Sequence, residues 1–134
     1  MNEDSDYDAL ARSVKYIPWK GKKEEWYTWH KTFLVRAMTC GYHGILVGLE
    51  SVPDDAAAKP LAGLREMTST QKKQSNNYKL NIRAYADLLQ CCTQDIVSFG
   101  IIDAAKDKEL SNGNAALAWK CLSENLRGVT MQKR

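Results

Sequence analysis

The chain has 134 residues, enough for one domain that buries a core without disulfides or metals, and its 44% hydrophobic and 26% charged residues match an ordered globular protein. A formal charge of +3 does not by itself mark a nucleic-acid binder, and the longest apolar runs, such as Ile45-Leu46-Val47, fall far short of the ~20 residues that span a bilayer. General disorder and membrane residence are therefore set aside.

Residues 1–14 read as an acidic, flexible N-terminal arm: over residues 1–12 one Arg stands against four acids, a net −3. Glu3, Asp4, Asp6 and Asp8 occupy the place where a secretory signal needs positive charge and then an apolar stretch, so a cytoplasmic location is expected. In that compartment Cys40, Cys91, Cys92 and Cys121 are expected to be reduced thiols packed as small hydrophobes. A zinc site needs paired Cys/His ligands at short spacing, which Cys91-Cys92 with distant His30 and His43 does not supply. Beyond the arm the charge alternates: +4 over residues 15–36, −2 over 50–66, +3 over 72–90, −2 over 95–109 and +3 over 120–134. Alternation of this kind favours self-association or solvated faces over one continuous nucleic-acid groove.

Residues 15–128 read as one all-α domain, compact and orthogonal or bundle-like, of four to five helices, followed by a short tail over 129–134. The first helix is expected over residues 24–39, with Trp26, Trp29, Phe33 and Ala37 on one face, Glu24 and Glu25 in the first turn, and Gly41 as its stop. A short apolar stretch over 42–49 predicts a second helix or a bent continuation. Residues 51–70 lose periodicity and carry Pro53, Pro60 and Gly63, which predicts a long, mobile connection. The strongest pattern follows, because Tyr78, Ile82, Tyr85, Leu89 and Cys92 fall on one helical face, with Ser69 or Thr70 as N-cap candidates. From Thr93 onward, Ile96, Val97, Phe99, Ile101 and Ile102 are apolar nearly all round, which predicts a helix buried on several sides. The last helix is expected after the capping candidates Ser111, Asn112 and Asn114, with Ala118, Trp119, Leu122 and Leu126 facing the core and Gly128 ending it. The expected core is thus Trp26, Trp29, Phe33, Tyr78, Ile82, Tyr85, Leu89, Ala118, Trp119, Leu122 and Leu126.

Phosphate loops, nucleophile elbows, paired metal ligands and poised acid-base sets are missing from the pattern, so neither a catalytic function nor a cofactor is expected. The lysines Lys20, Lys22 and Lys23 beside Trp19, Trp26, Tyr27 and Trp29 form a candidate base-stacking platform, against which burial of Trp26 and Trp29 with Phe33 is the simpler reading. Lys72, Lys73, Lys79 and Arg83 form a second candidate contact face, for RNA or a partner, or simply a solvated one.

Three stretches in order, IPWKGKKEEWYTWHKTFLVRAM, AYADLLQCC and GNAALAWKCLSENLRG, resemble the Gag region of copia-type LTR retrotransposons over residues 17–128. Gly21, Trp29, Ala118, Trp119 and Leu122 match places in that pattern. The resemblance implies a capsid-like domain of such an element, or of a host protein derived from one, that self-associates into a particle shell and packages the element's RNA. It also implies a homo-oligomer without a small-molecule substrate, with basic patches as the candidate RNA contacts. The sequence departs from the family pattern in carrying no zinc knuckle, which in many relatives supplies much of the specific RNA binding. A helical nucleic-acid-binding or adaptor module without assembly activity is the alternative of a different class.

Overall fold

The structure, a computed structural model, describes residues 17–132, with side chains as far as Leu126; the arm expected over residues 1–14 lies outside the described residues. Extended residues and one 3₁₀ turn, Lys23–Glu25, lead into helix α1, Trp26–Cys40. Glu24 and Glu25 belong to that lead-in turn rather than to the helix itself. Helix α1 buries Trp29, Phe33, Ala37 and Cys40 on one stripe, and Trp26 is half-buried at its edge. Gly41 ends it at φ +86, returning its N–H to the carbonyls of Ala37 and Met38, a left-handed geometry that favours glycine. One turn, α2 (His43–Leu46), then buries Ile45 and Leu46.

The stretch over residues 51–70 is not the irregular connection its composition predicts. It contains helix α3, Asp55–Ala62, capped by the Asp54 carboxylate, which accepts from the Ala57 N–H at 2.7 Å. Ala58 and Leu61 turn inward. Asp55 ties the helix down through long-range partners: its carboxylate accepts from Tyr78 Oη at 2.7 Å and from Ser111 Oγ at 2.6 Å, and its N–H donates to the Glu109 carbonyl at 2.7 Å. Those partners lie 23 to 56 residues away, so no local pattern announces them.

Helix α4, Ser69–Cys91, has 23 residues and is about 35 Å long. Its cap is Thr68, one residue before the expected candidates, in a reciprocal capping box with Gln71. The face it buries is Asn77, Leu80, Asn81, Ala84, Tyr85, Leu88 and Cys91. Against the expected stripe, Tyr85 and Cys92 are buried and Leu89 partly so, whereas Tyr78 and Ile82 are only half-buried, against α3. The core face is therefore rotated from the predicted one, because α4 is covered on more than one side: α3 packs along one flank and α2 with the two remaining helices along another.

Helix α5, Ile96–Asp103, is capped by Asp95 and buries Ser98 and Ile102. The expectation of burial on several sides fails here: Ile96 is 84% and Val97 61% exposed. Two turns offer one inward stripe, and the apolar residues off that stripe remain in solvent. Helix α6, Ala115–Gln132, is capped by Asn114, whose Oδ1 accepts from the Leu117 N–H at 3.1 Å. It packs across α4 and α5 and buries Ala115, Ala118, Trp119, Leu122 and Leu126. It does not stop at Gly128 but continues to Gln132, so the expected domain boundary falls inside a helix.

Six α-helices lie among the described residues, more than the four or five expected, because α3 forms within the stretch read as a connection. There is no strand among the described residues. Two long-range polar devices join the helices. Asn81, 1% exposed, donates from Nδ2 to the Gly113 carbonyl and accepts at Oδ1 from the Ala115 N–H, each at 2.9 Å, so α4 holds the start of α6. Gly113 itself has φ +110, and a Cβ there would come within 2.5 Å of the Tyr85 ring, whose hydroxyl is bonded to the Ile102 carbonyl at 2.6 Å.

Candidate interaction surfaces

The tryptophans form a chain through the core rather than a platform on the surface. Trp29 has Trp19, Trp26, Phe33 and Trp119 around it at centroid distances of 5.4 to 6.4 Å. Trp19 and Trp29 are buried, and Trp26 is half-buried and stacked on His30 at 5.2 Å. Only Tyr27 of this group stands out in solvent, with Lys31 Nζ 5.4 Å above its ring.

Trp19 was outside the core read from periodicity because it lies in non-repeating chain. Two hydrogen bonds fix it there: its N–H donates to the Cys91 carbonyl at 2.8 Å and its Nε1 to Ser98 Oγ at 3.0 Å, the Ser98 hydroxyl donating in turn to Asp95. A Cβ on Gly21, at φ +84, would stand 2.7 Å from the Asp95 carboxyl, so the loop approaches the start of α5 as closely as only glycine allows.

Lys20, Lys22 and Lys23 are exposed, and Lys20 and Lys22 edge a shallow groove of about 470 Å³ over Trp19 and Trp29. Lys72, Lys73 and Lys79 are exposed on α4, with Lys73 turned to Glu50 at 3.1 Å, and Arg83 is half-buried. The structure does not merge the two basic groups. Trp19 is bonded at Cys91, and at 1.5 Å per residue Lys79 and Lys72 lie roughly 18 and 28 Å back along α4.

A second groove, of about 570 Å³, runs between α3 and α4. Ala58, Leu61, Met67, Tyr78 and Ile82 line it, with Lys59 and Lys79 at its sides. Elsewhere, among the described residues, exposed apolar side chains form groups on two helices. One is the pair Ile96 and Val97 on α5; the other is the outer stripe of α1, where Tyr27, Lys31, Val35 and Met38 follow one another at helical spacing.

Charge enters the interior at one place. Arg36 Nη2 lies 3.3 Å from Asp87 Oδ2, and the Tyr42 hydroxyl donates to the same oxygen at 2.6 Å, so one carboxylate joins α1, the turn before α2, and α4. Burial and then Asp87 hold the Tyr42 phenol protonated far above its ordinary range. Burial likewise pushes the Cys91 and Cys92 thiols up to about 12. Cys40 shifts the same way, and Cys121 is the one thiol of the four that is not fully buried.

These groups share one sign. A folded-state pKa raised above the unfolded value contributes stability that is complete below the unfolded pKa and lost as pH rises through the folded one. Melting temperature in reducing buffer should therefore hold near neutrality and decline from about pH 9, where unfolded thiols begin to ionise, with unfolded phenols adding to the slope from about pH 10. A flat profile to pH 11 would contradict the burial of these thiols. The double substitution Cys91→Ala with Cys92→Ala should make the early part of the decline shallower.

No group of His, Cys, Asp and Glu among the described residues could hold a metal ion, and no described helix is long and apolar enough to cross a membrane. Comparison with family models, with curated proteins and with solved structures found no match.

Proposed function

We propose that this chain is a structural domain of Gag type, from a copia-like retrotransposon or a host protein derived from one, which self-associates into a shell and contacts RNA without catalysing a reaction. The observation that carries the reading is the pair of exposed apolar features on separate helices, Ile96-Val97 on α5 and Tyr27-Val35-Met38 on α1, both outside the buried core. Exposed apolar clusters on a domain whose core is filled favour protein contacts, and two different ones suit heterologous contacts that repeat rather than a closed dimer. Each patch is small, which suits a subunit whose affinity comes from many weak contacts. Lys20, Lys22 and Lys23, exposed beside Tyr27 and Lys31, are the RNA-contact candidates.

Sedimentation across a wide concentration range, with and without RNA, is the test. Species larger than the monomer should accumulate with concentration, and Ile96→Glu with Val97→Glu should weaken association about tenfold or more, since charge is driven into an apolar contact. A strictly monomeric chain under every condition would overturn the assembly reading in favour of an adaptor module.

A further inference from the structure

The groove between α3 and α4 is apolar along its floor, where Leu61, Met67, Tyr78 and Ile82 meet, and basic along its rim. Lys59 stands on the α3 side and Lys79 on the α4 side, and Lys72, seven residues before Lys79, continues the same helical face. None of these three lysines makes an ion pair among the described residues. The acid at the groove, Asp55, has one carboxylate oxygen engaged by Tyr78 and the other by Ser111, bonds that hold it ionised. It forms no ion pair with a rim lysine, so one negative charge faces three positive ones. Such a site selects a segment in which apolar side chains are flanked by carboxylates.

The chain's own sequence supplies such a segment before the described residues. Residues 1–12 carry Glu3, Asp4, Asp6 and Asp8 around Tyr7 and Leu10, for a net −3. The tether also reaches. Residues 11–16 span about 20 Å when extended, whereas Cys91, to which Trp19 is bonded, is nine residues or about 14 Å along α4 from Ile82. A short tether holds the segment at an effective concentration on the order of millimolar, well above that of any second copy in dilute solution.

We propose that the α3–α4 groove is the docking site for the chain's own residues 1–12, with Tyr7 and Leu10 on the apolar floor and the carboxylates against Lys59, Lys72 and Lys79. Docking covers the apolar floor of the groove and neutralises its rim in a single step. The inference stands on charge, reach and groove chemistry and does not rest on the assembly reading.

The test is photo-cross-linking of the full chain with Tyr7→p-benzoylphenylalanine at low micromolar concentration, the adducts mapped by mass spectrometry. Adducts should fall on Met67, Leu61 or Ile82, within a single chain. Lys59→Glu with Lys79→Glu should cut their yield about fivefold, in keeping with the modest worth of exposed charge pairs. Adding Asp4→Lys, Asp6→Lys and Asp8→Lys to that variant should restore it. Circular dichroism keeps the comparison sound, because both lysines are exposed and their reversal should leave the helical signal unchanged. Adducts confined to residues 20–31, adducts found only between chains, no adduct at all, or a yield indifferent to charge reversal would each overturn the proposal.

Discussion

Replacing Trp29 by alanine should destabilise the domain by about 3–5 kcal/mol, the loss typical of a large aromatic removed from a core. Its ring is surrounded by Trp19, Trp26, Phe33 and Trp119, so truncation opens a cavity whose walls are rings that cannot collapse into it without leaving their own partners. The indole also donates from Nε1 to the Ile17 carbonyl at 2.6 Å, which holds the chain just before Trp19. A domain of this size should then melt roughly 10–20 °C lower. Trp29→Phe separates the two contributions: it keeps most of the ring packing, loses the bond, and should cost about 1–2 kcal/mol. A Trp29→Ala variant that melts like the parent would place the ring outside the core.

Asp87→Ala should come close in effect, at about 2–4 kcal/mol, because it removes the acceptor shared by a guanidinium and a phenol that are both inside the protein. The side chains of Arg36 and Asp87 are 8% and 18% exposed, so water screens this pair far less than it screens Lys73 with Glu50 at the surface. The order of three variants is the measurement. Asp87→Ala takes the neighbouring carboxylate away from a buried cation and should be the worst. Arg36→Met leaves Asp87 bonded to Tyr42 and should cost less. Arg36→Met combined with Asp87→Leu removes both charges and should recover part of the loss, since an apolar pair of similar size needs no desolvation. Urea unfolding of the three, with unchanged slope, decides it. If the three variants were equally stable, the network would be a surface feature.

The same residues show where sequence reading succeeds. The stripe Trp29-Phe33-Ala37, the glycine stop at Gly41 and the stripe Ala118-Trp119-Leu122-Leu126 were legible because each follows from local geometry: 3.6 residues per turn and the freedom of glycine at positive φ. Residues 51–70 were misread because Pro53, Pro60 and Gly63 lower helix preference and the run carries no long apolar stripe, although Ala56, Ala57 and Ala58 favour a helix. The helix there is held by Asp55 reaching Tyr78, Glu109 and Ser111. Of the candidate surfaces, the two basic groups were visible in advance, but neither the distance between them nor the α3–α4 groove was.

What the sequence alone determined is the set of amphipathic helices, since periodicity states which residues share a face. Which face is the inner one was decided by tertiary structure. Tyr78 and Ile82 lost the central place to Leu80, Ala84 and Leu88 because α4 is sheathed on two sides, and a periodic pattern carries no record of how many neighbours a helix has. Asn81, Ser98 and Arg36 are buried although their chemistry argues for solvent, because each meets a partner from another element at hydrogen-bonding distance. Ile96 and Val97 are exposed for the converse reason: no described element covers them, and hydrophobicity drives burial only where another surface is there to meet it.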